Sequence, residues 1–214
     1  MTRVLCLHGT GGTAATMQPV VDGLRAAGHH VEAPTLPGHG GVPEDLFGVT
    51  WSDWLAAASS WRADVVIGQS MGASLALALG SAGACRAVVA INALAPDPDA
   101  LDGLEWRRER GSKWIEVGPS TVGEIALHRL PIETLITTAE GVLAVDLAAV
   151  SCPLLLITSE HDDVVDPASS DVIAAMVTGP VERVRLQRSG HVASLDVERE
   201  LVISAILHAL EAWF

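Results

Sequence analysis

Several common roles are excluded by what this chain lacks. It has three cysteines, an odd number with no C-x-x-C spacing, so neither a disulfide framework nor a zinc site is indicated. Cys6, Cys85 and Cys152 each lie in or beside an apolar run and are expected to be buried, inert thiols. Lysine is nearly absent, with Lys113 alone beside twelve arginines, and the formal net charge is −13. So acidic a surface repels phosphate backbones and anionic headgroups, which argues against nucleic acid as a partner. No stretch approaches the roughly 20 apolar residues that a membrane span needs. The early Arg3-Val4-Leu5-Cys6-Leu7 run is too short for a signal segment, so the expected location is the cytoplasm. Internal repeats and low-complexity tracts are missing as well.

What the chain does have is apolar residue in quantity. Of its 214 residues 49% are hydrophobic and 18% charged, enough to offset the entropy of ordering one domain spanning residues 1–214. Short β-branched runs alternate with longer helical patterns, the mark of a mainly parallel sheet covered on both faces. Six strands are expected, at Val4–Leu7, His30–Ala33, Val65–Gly68, Ala87–Ile91, Leu154–Thr158 and Val181–Leu186. Met17, Val20, Val21 and Leu24 predict a helix stopped by Gly28. Ala73–Leu79 is apolar nearly all round and predicts a helix buried against the sheet. Val202, Ala205, Ile206, Ala209, Leu210 and Trp213 predict a terminal amphipathic helix.

From about Ala93 to Ala149 the alternation breaks, with Pro96, Pro98, Pro119 and Pro131 among helical patches at Leu101–Arg110 and Ile132–Ala144. This segment, residues 93–149, reads as a helical cap inserted after the fourth strand. Its Arg107-Arg108-Glu109-Arg110 run is expected to be a solvated helix face.

Gly68-Gln69-Ser70-Met71-Gly72 fits G-x-S-x-G, with a strand just before it and a helix just after. That context predicts a nucleophile elbow: the flanking glycines leave room for a sharp turn that exposes the Ser70 hydroxyl above the sheet. A serine is a weak nucleophile until a base takes its proton, so a histidine oriented by a carboxylate is required. His191 lies on a loop after the last strand, at the sheet edge where Ser70 emerges. His208 falls inside the terminal helix, and His29 and His30 enter from the opposite edge. The carboxylate should follow the Leu154–Thr158 strand, where Glu160, Asp162, Asp163 and Asp166 crowd one loop. Spacing does not separate Asp162 from its neighbour Asp163.

The glycine-rich His8-Gly9-Thr10-Gly11-Gly12 turn follows the first strand. There the amide of Thr10, with that of Met71, is expected to form an oxyanion hole. A phosphate-loop reading fails because no G-K-[ST] follows. His8 is expected to be a structural hydrogen-bonder, and His39, in Pro37-Gly38-His39-Gly40, to support the site at most.

With these residues placed, the chain resembles the α/β-hydrolase superfamily, and within it the small bacterial carboxylesterases and monoacylglycerol lipases with a compact helical cap. The resemblance rests on His8-Gly9, Pro37-Gly38-His39-Gly40, Trp51-x-x-Trp54, the Ser70 elbow, the Asp162 loop, and Ser189-Gly190-His191-Val192 followed by Leu195-Asp196. In such proteins the acid loop reads D-x-hydrophobic-hydrophobic-x-P, which puts Asp162 of Asp162-Asp163-Val164-Val165-Asp166-Pro167 in the catalytic slot. Two departures stand out. The His-Gly strand begins at Arg3 with no antiparallel strand ahead of it, so the sheet is expected to be trimmed at that edge and nearly all parallel. Thr10 replaces a bulkier residue, which would enlarge or polarise the acyl pocket.

The resemblance implies a Ser70–His191–Asp162 triad that cleaves a small-molecule carboxylic ester without metal or organic cofactor. A thioesterase or lactonase would use the same triad. A non-catalytic binding protein on this scaffold, or a perhydrolase or lyase, are the more distant readings.

Overall fold

Alternation along the first strand lets one element serve two layers. In β1 (Arg3–Leu7), Val4 and Cys6 point to one face and Leu5 and Leu7 to the other, and each is at most 2% exposed. The computed structural model describes residues 1–117 and 127–214. Pro119, one of the prolines expected to break the inserted segment, lies outside the described residues.

In chain order β1 is followed by α1 (Gln18–Ala26), β2 (His30–Glu32), α2 (Trp51–Ser59), β3 (Val65–Gln69), α3 (Met71–Ser81) and β4 (Ala87–Ile91). Then come α4 (Pro98–Glu109), β5 (Trp114–Glu116), β6 (Arg129–Pro131) and α5 (Ile132–Leu143). The chain closes with β7 (Leu154–Ser159), α6 (Ser169–Met176), β8 (Val181–Leu186) and α7 (Arg199–Trp213).

The main sheet has six strands in the order β2-β1-β3-β4-β7-β8, and every pairing in it is parallel. This is the parallel sheet expected from the alternating pattern, in the α/β-hydrolase arrangement that the resemblance implies. All six strands therefore end at one edge. α1 and α7 cover one face, packing Val20, Val21, Leu24, Val202, Ile206 and Leu210 on Val4, Cys6, Val65, Ile67 and Val89. On the other face Trp54 of α2, Leu75 and Ala76 of α3 and Ile173 of α6 pack on Leu5, Leu7, Val66, Val88 and Leu154. α1 stops where Gly28 takes φ +87°, a conformation without steric cost for glycine. β8, at the outer edge, carries Glu182, Arg183 and Arg185, charges that discourage pairing with another chain.

The insertion between β4 and β7 is not wholly helical. Besides α4 and α5 it holds an antiparallel ribbon in which Trp114 pairs with Pro131, Ile115 with Leu130 and Glu116 with Arg129. α4 buries no residue, whereas α5 buries Ile132, Ile136 and Val142. The basic run on α4 is exposed; Arg108 pairs with Glu105 and Glu133, and Arg110 stacks on Trp106. All three cysteines are free, but Cys152 is only half-buried, because it stands just before β7 begins. Among the described residues no helix is long and apolar enough to cross a membrane.

Candidate active site

At the end of β3 the chain must reverse from strand to helix within one residue, and Ser70 does so at φ 56° and ψ −124°. A positive φ in a non-glycine residue is strained, and here the neighbours enforce it. The Ser70 N–H donates to Ile91 O at 2.9 Å, while the Ser70 carbonyl accepts from Ala73 and Ser74 as α3 begins. Glycine is required on both sides: a Cβ on Gly68 would lie 2.0 Å from Gly72 O, and one on Gly72 would lie 2.3 Å from Leu7 O.

The loop after β1 runs beside this turn. A Cβ on Gly9 would stand 3.0 Å from Ser70 Cβ and 3.5 Å from Ser70 Oγ, so the Gly9–Thr10 backbone passes next to the hydroxyl. Among the described residues, neither the Thr10 nor the Met71 amide donates to a protein acceptor. Two such donors at the start of a helix and beside a serine can bind a developing negative charge.

His8 is fully buried. Its Nδ1 lies 2.8 Å from Gly9 O, and its Nε2 accepts the Leu36 N–H at 2.9 Å. That bond fixes the neutral tautomer with the proton on Nδ1 and ties the Pro37-Gly38-His39-Gly40 loop to β1. The His39 ring stacks edge-on against His8 with centroids 4.8 Å apart, and Trp54 Nε1 donates to Pro37 O at 2.9 Å. Burial, with His39 beside it, pushes the His8 pKa from 6.5 down to about 4. The unfolded chain therefore binds a proton that the folded chain refuses. Stability from this group is complete above about 6.5 and is lost as pH falls toward about 4. The thermal midpoint should drop by several degrees across that window, and a His8→Asn variant should show a shallower drop in the same calorimetric series.

Asp162 and His191 meet directly. His191 Nδ1 lies 2.8 Å from Asp162 Oδ2 and 3.0 Å from Oδ1. The carboxylate is 1% exposed and the imidazole 15%, whereas Asp163 is exposed. Asp162 Oδ1 also accepts the Val164 and Val165 N–H groups, both at 2.9 Å, so the acid loop folds around its own carboxylate. No hydrogen bond joins Ser70 Oγ to His191 among the described residues, a contact that substrate often completes. The serine, the acid and the histidine follow β3, β7 and β8 respectively, at the shared sheet edge.

A frame of residues that sequence reasoning missed holds the histidine loop. Gln69 Oε1 accepts the Ser194 N–H at 3.1 Å, and Ser194 Oγ donates to Thr16 O at 2.6 Å. Asp196 accepts the Gly190 N–H at 2.8 Å. The Glu198 carboxylate takes the amides of Gln187, Arg188 and Ser189 and the Ser189 hydroxyl. Burial alone would raise the Glu198 pKa, but these donors outweigh it and hold the carboxyl below its ordinary value. Asn92, directly after β4, bridges β7 to the histidine loop. Only Gln69, inside the G-x-S-x-G pattern, and Asp196 stood near a motif.

The model of the alpha/beta hydrolase family matches residues 4–205. A thermostable monoacylglycerol lipase of Bacillus sp. (strain H-257) is 32% identical over 95% of this chain and 88% of its own length. A carboxylesterase of Bacillus subtilis (strain 168) is 24% identical over 97% of this chain and 92% of its own. Among solved structures, one reported for the metagenome-derived lipolytic enzymes LipS and LipT superposes with a TM-score of 0.89 at 29% identity, covering 98% of this chain and 93% of that one.

Proposed function

This chain belongs to the α/β-hydrolase family, and from that premise we propose that it is a serine hydrolase of small carboxylic esters, with short to medium acyl chains or of monoacylglycerol type. The observation that carries the reading is the buried Asp162–His191 hydrogen bond at the edge where Ser70 is held at positive φ. The names of the relatives support the ester.

In the reaction, Ser70 Oγ attacks the ester carbonyl while His191 Nε2 takes its proton. Asp162 holds the ring by Nδ1 and stabilises the imidazolium, and the Thr10 and Met71 amides bind the oxyanion. As the tetrahedral adduct collapses, His191 passes the proton to the departing alkoxide, leaving an acyl-serine. Water repeats the sequence, releases the carboxylic acid and restores Ser70. These residues perform each proton transfer themselves.

Residues 93–149 form the cap over this site in our reading. Leu127 N–H donates to Gly11 O at 3.1 Å, and Leu130 comes within 3.2 Å of where a Cβ on Gly11 would stand. Cap leucines thus press on the oxyanion loop and would line the acyl pocket. Free thiols suit a cytoplasmic enzyme.

The test combines a fluorophosphonate probe with a panel of aryl esters, monoacylglycerols, acyl thioesters and lactones. Labelling should fall on Ser70 and esters should be the best substrates. Labelling elsewhere would remove the assignment of the nucleophile, and a thioester or lactone preference would remove the ester.

A further inference from the structure

We propose that Asn92 is a positioning residue for the acid–base pair: one rigid carboxamide spaces the Asp162 loop from the His191 loop and orients the imidazole between them. The inference rests on the hydrolase reading above.

Asn92 follows β4 directly. It is 4% exposed and stands at φ 48°, in the left-handed region that costs a non-glycine residue energy. Its main-chain N–H donates to Ile157 O of β7 at 2.9 Å. On one side of the side-chain amide, Oδ1 accepts the Ser159 N–H at 2.8 Å. On the other, Nδ2 donates to the Ser159 hydroxyl at 3.0 Å and to the His191 carbonyl at 2.8 Å. These partners fix which end is oxygen, because an amide N–H needs an acceptor and a carbonyl needs a donor.

Ser159 is the last residue of β7, and the loop that it launches carries Asp162. A single planar group therefore grips the root of the acid loop and the main chain of the base. Asn92 and Asp162 also line one small cavity with Thr158 and Val165. Neither loop carries a helix or strand at the reacting residue, so the separation between them has to be set from outside. Misplacement of a base by about 1 Å can cost on the order of 10²-fold in rate.

Asparagine suits the position in a way that its isostere does not. An aspartate would turn the donors to His191 O and Ser159 Oγ into acceptors and place a negative charge against the main-chain carbonyl of His191. The other charged groups in this network are Asp162, which bonds the ring, and Asp196 and Glu198, which are occupied by amides of the histidine's own loop.

The experiment uses the full chain with Asn92→Gly, which relaxes the backbone and deletes the side chain, and Asn92→Asp, which keeps the shape. Active sites are counted by fluorophosphonate titration, and kcat per labelled site is measured against pH. Both variants should lose about 10-fold or more in kcat with KM within about twofold. In Asn92→Asp the His191 ring resonances, followed by NMR, should move away from their wild-type positions. Unchanged kcat per site together with an unmoved His191 resonance would overturn the proposal, even if melting temperatures fell. A wild-type chain without ester turnover would instead remove the hydrolase reading. The NMR comparison would still decide Asn92, because it needs no substrate.

Discussion

Replacing Ser70 with alanine is expected to lower ester turnover by about 10⁴-fold or more, as loss of a triad nucleophile does. The substitution removes one oxygen and leaves the rest of the site in place. The proposed oxyanion donors are main-chain amides, of Thr10 and Met71, and the Asp162–His191 bond does not involve the serine. What remains should be weak, general stabilisation of water attack. Alanine meets the same unfavourable φ as serine, so the melting temperature should barely move, and a calorimetric scan beside the kcat measurement separates chemistry from folding. Near-normal kcat in folded Ser70→Ala protein would end the assignment.

An Asp162→Asn variant should be almost as damaging, at about 10⁴-fold in kcat, and the hydrogen bonds around Asp162 say why. Oδ1 already accepts two main-chain N–H groups, from Val164 and Val165. In the variant the carboxamide oxygen must stay there, which turns its NH₂ toward His191 Nδ1. Nδ1 then becomes an acceptor, the proton moves to Nε2, and the imidazole presents a donor to Ser70 where a base is needed. Burial at 1% exposure leaves the amide no solvent to turn toward. Measuring kcat together with fluorophosphonate labelling checks this: both should fall while the fold persists. Rapid labelling of Asp162→Asn would show that Ser70 is activated by something else.

The parallel sheet was legible because its four central strands, β1, β3, β4 and β7, are buried on both faces and so read as short apolar runs. The order of strands was not, since Val65–Gln69 and Ala87–Ile91 carry no record of which neighbours they take. The β5–β6 ribbon was invisible for a different reason: its three-residue strands are too short to alternate, and Trp114 finds Pro131 only through the fold. α6 was passed over as well, being short and buried only at Ser170 and Ile173.

At the candidate site, the loop positions of Ser70, Asp162 and His191 followed from strand ends alone. Spacing could not separate Asp162 from Asp163, because they differ in burial and not in chemistry; the resemblance to known acid loops did that. Asn92, Gln69 and Glu198 look like ordinary polar residues beside strands and a helix. The partners lie far along the chain for Gln69, 125 residues away, and for Asn92, 99 residues away; those of Glu198 are 9 to 11 residues back, across a loop that no local pattern folds in advance.

Ser70 and Asn92 are the two non-glycine residues at positive φ among the described residues, and they follow adjacent strands. Each holds about 1–3 kcal/mol of backbone strain, which the apolar strands behind them can bear. Selection for heat resistance alone would therefore replace Ser70, whose hydroxyl makes no hydrogen bond among the described residues, with glycine and raise the melting temperature while turnover disappeared; at Asn92 the three bonds of the carboxamide oppose that exchange. Any programme to harden this protein should leave the C-terminal edge of the sheet alone. It should work instead on exposed apolar positions remote from that edge, such as Trp61 and Phe214.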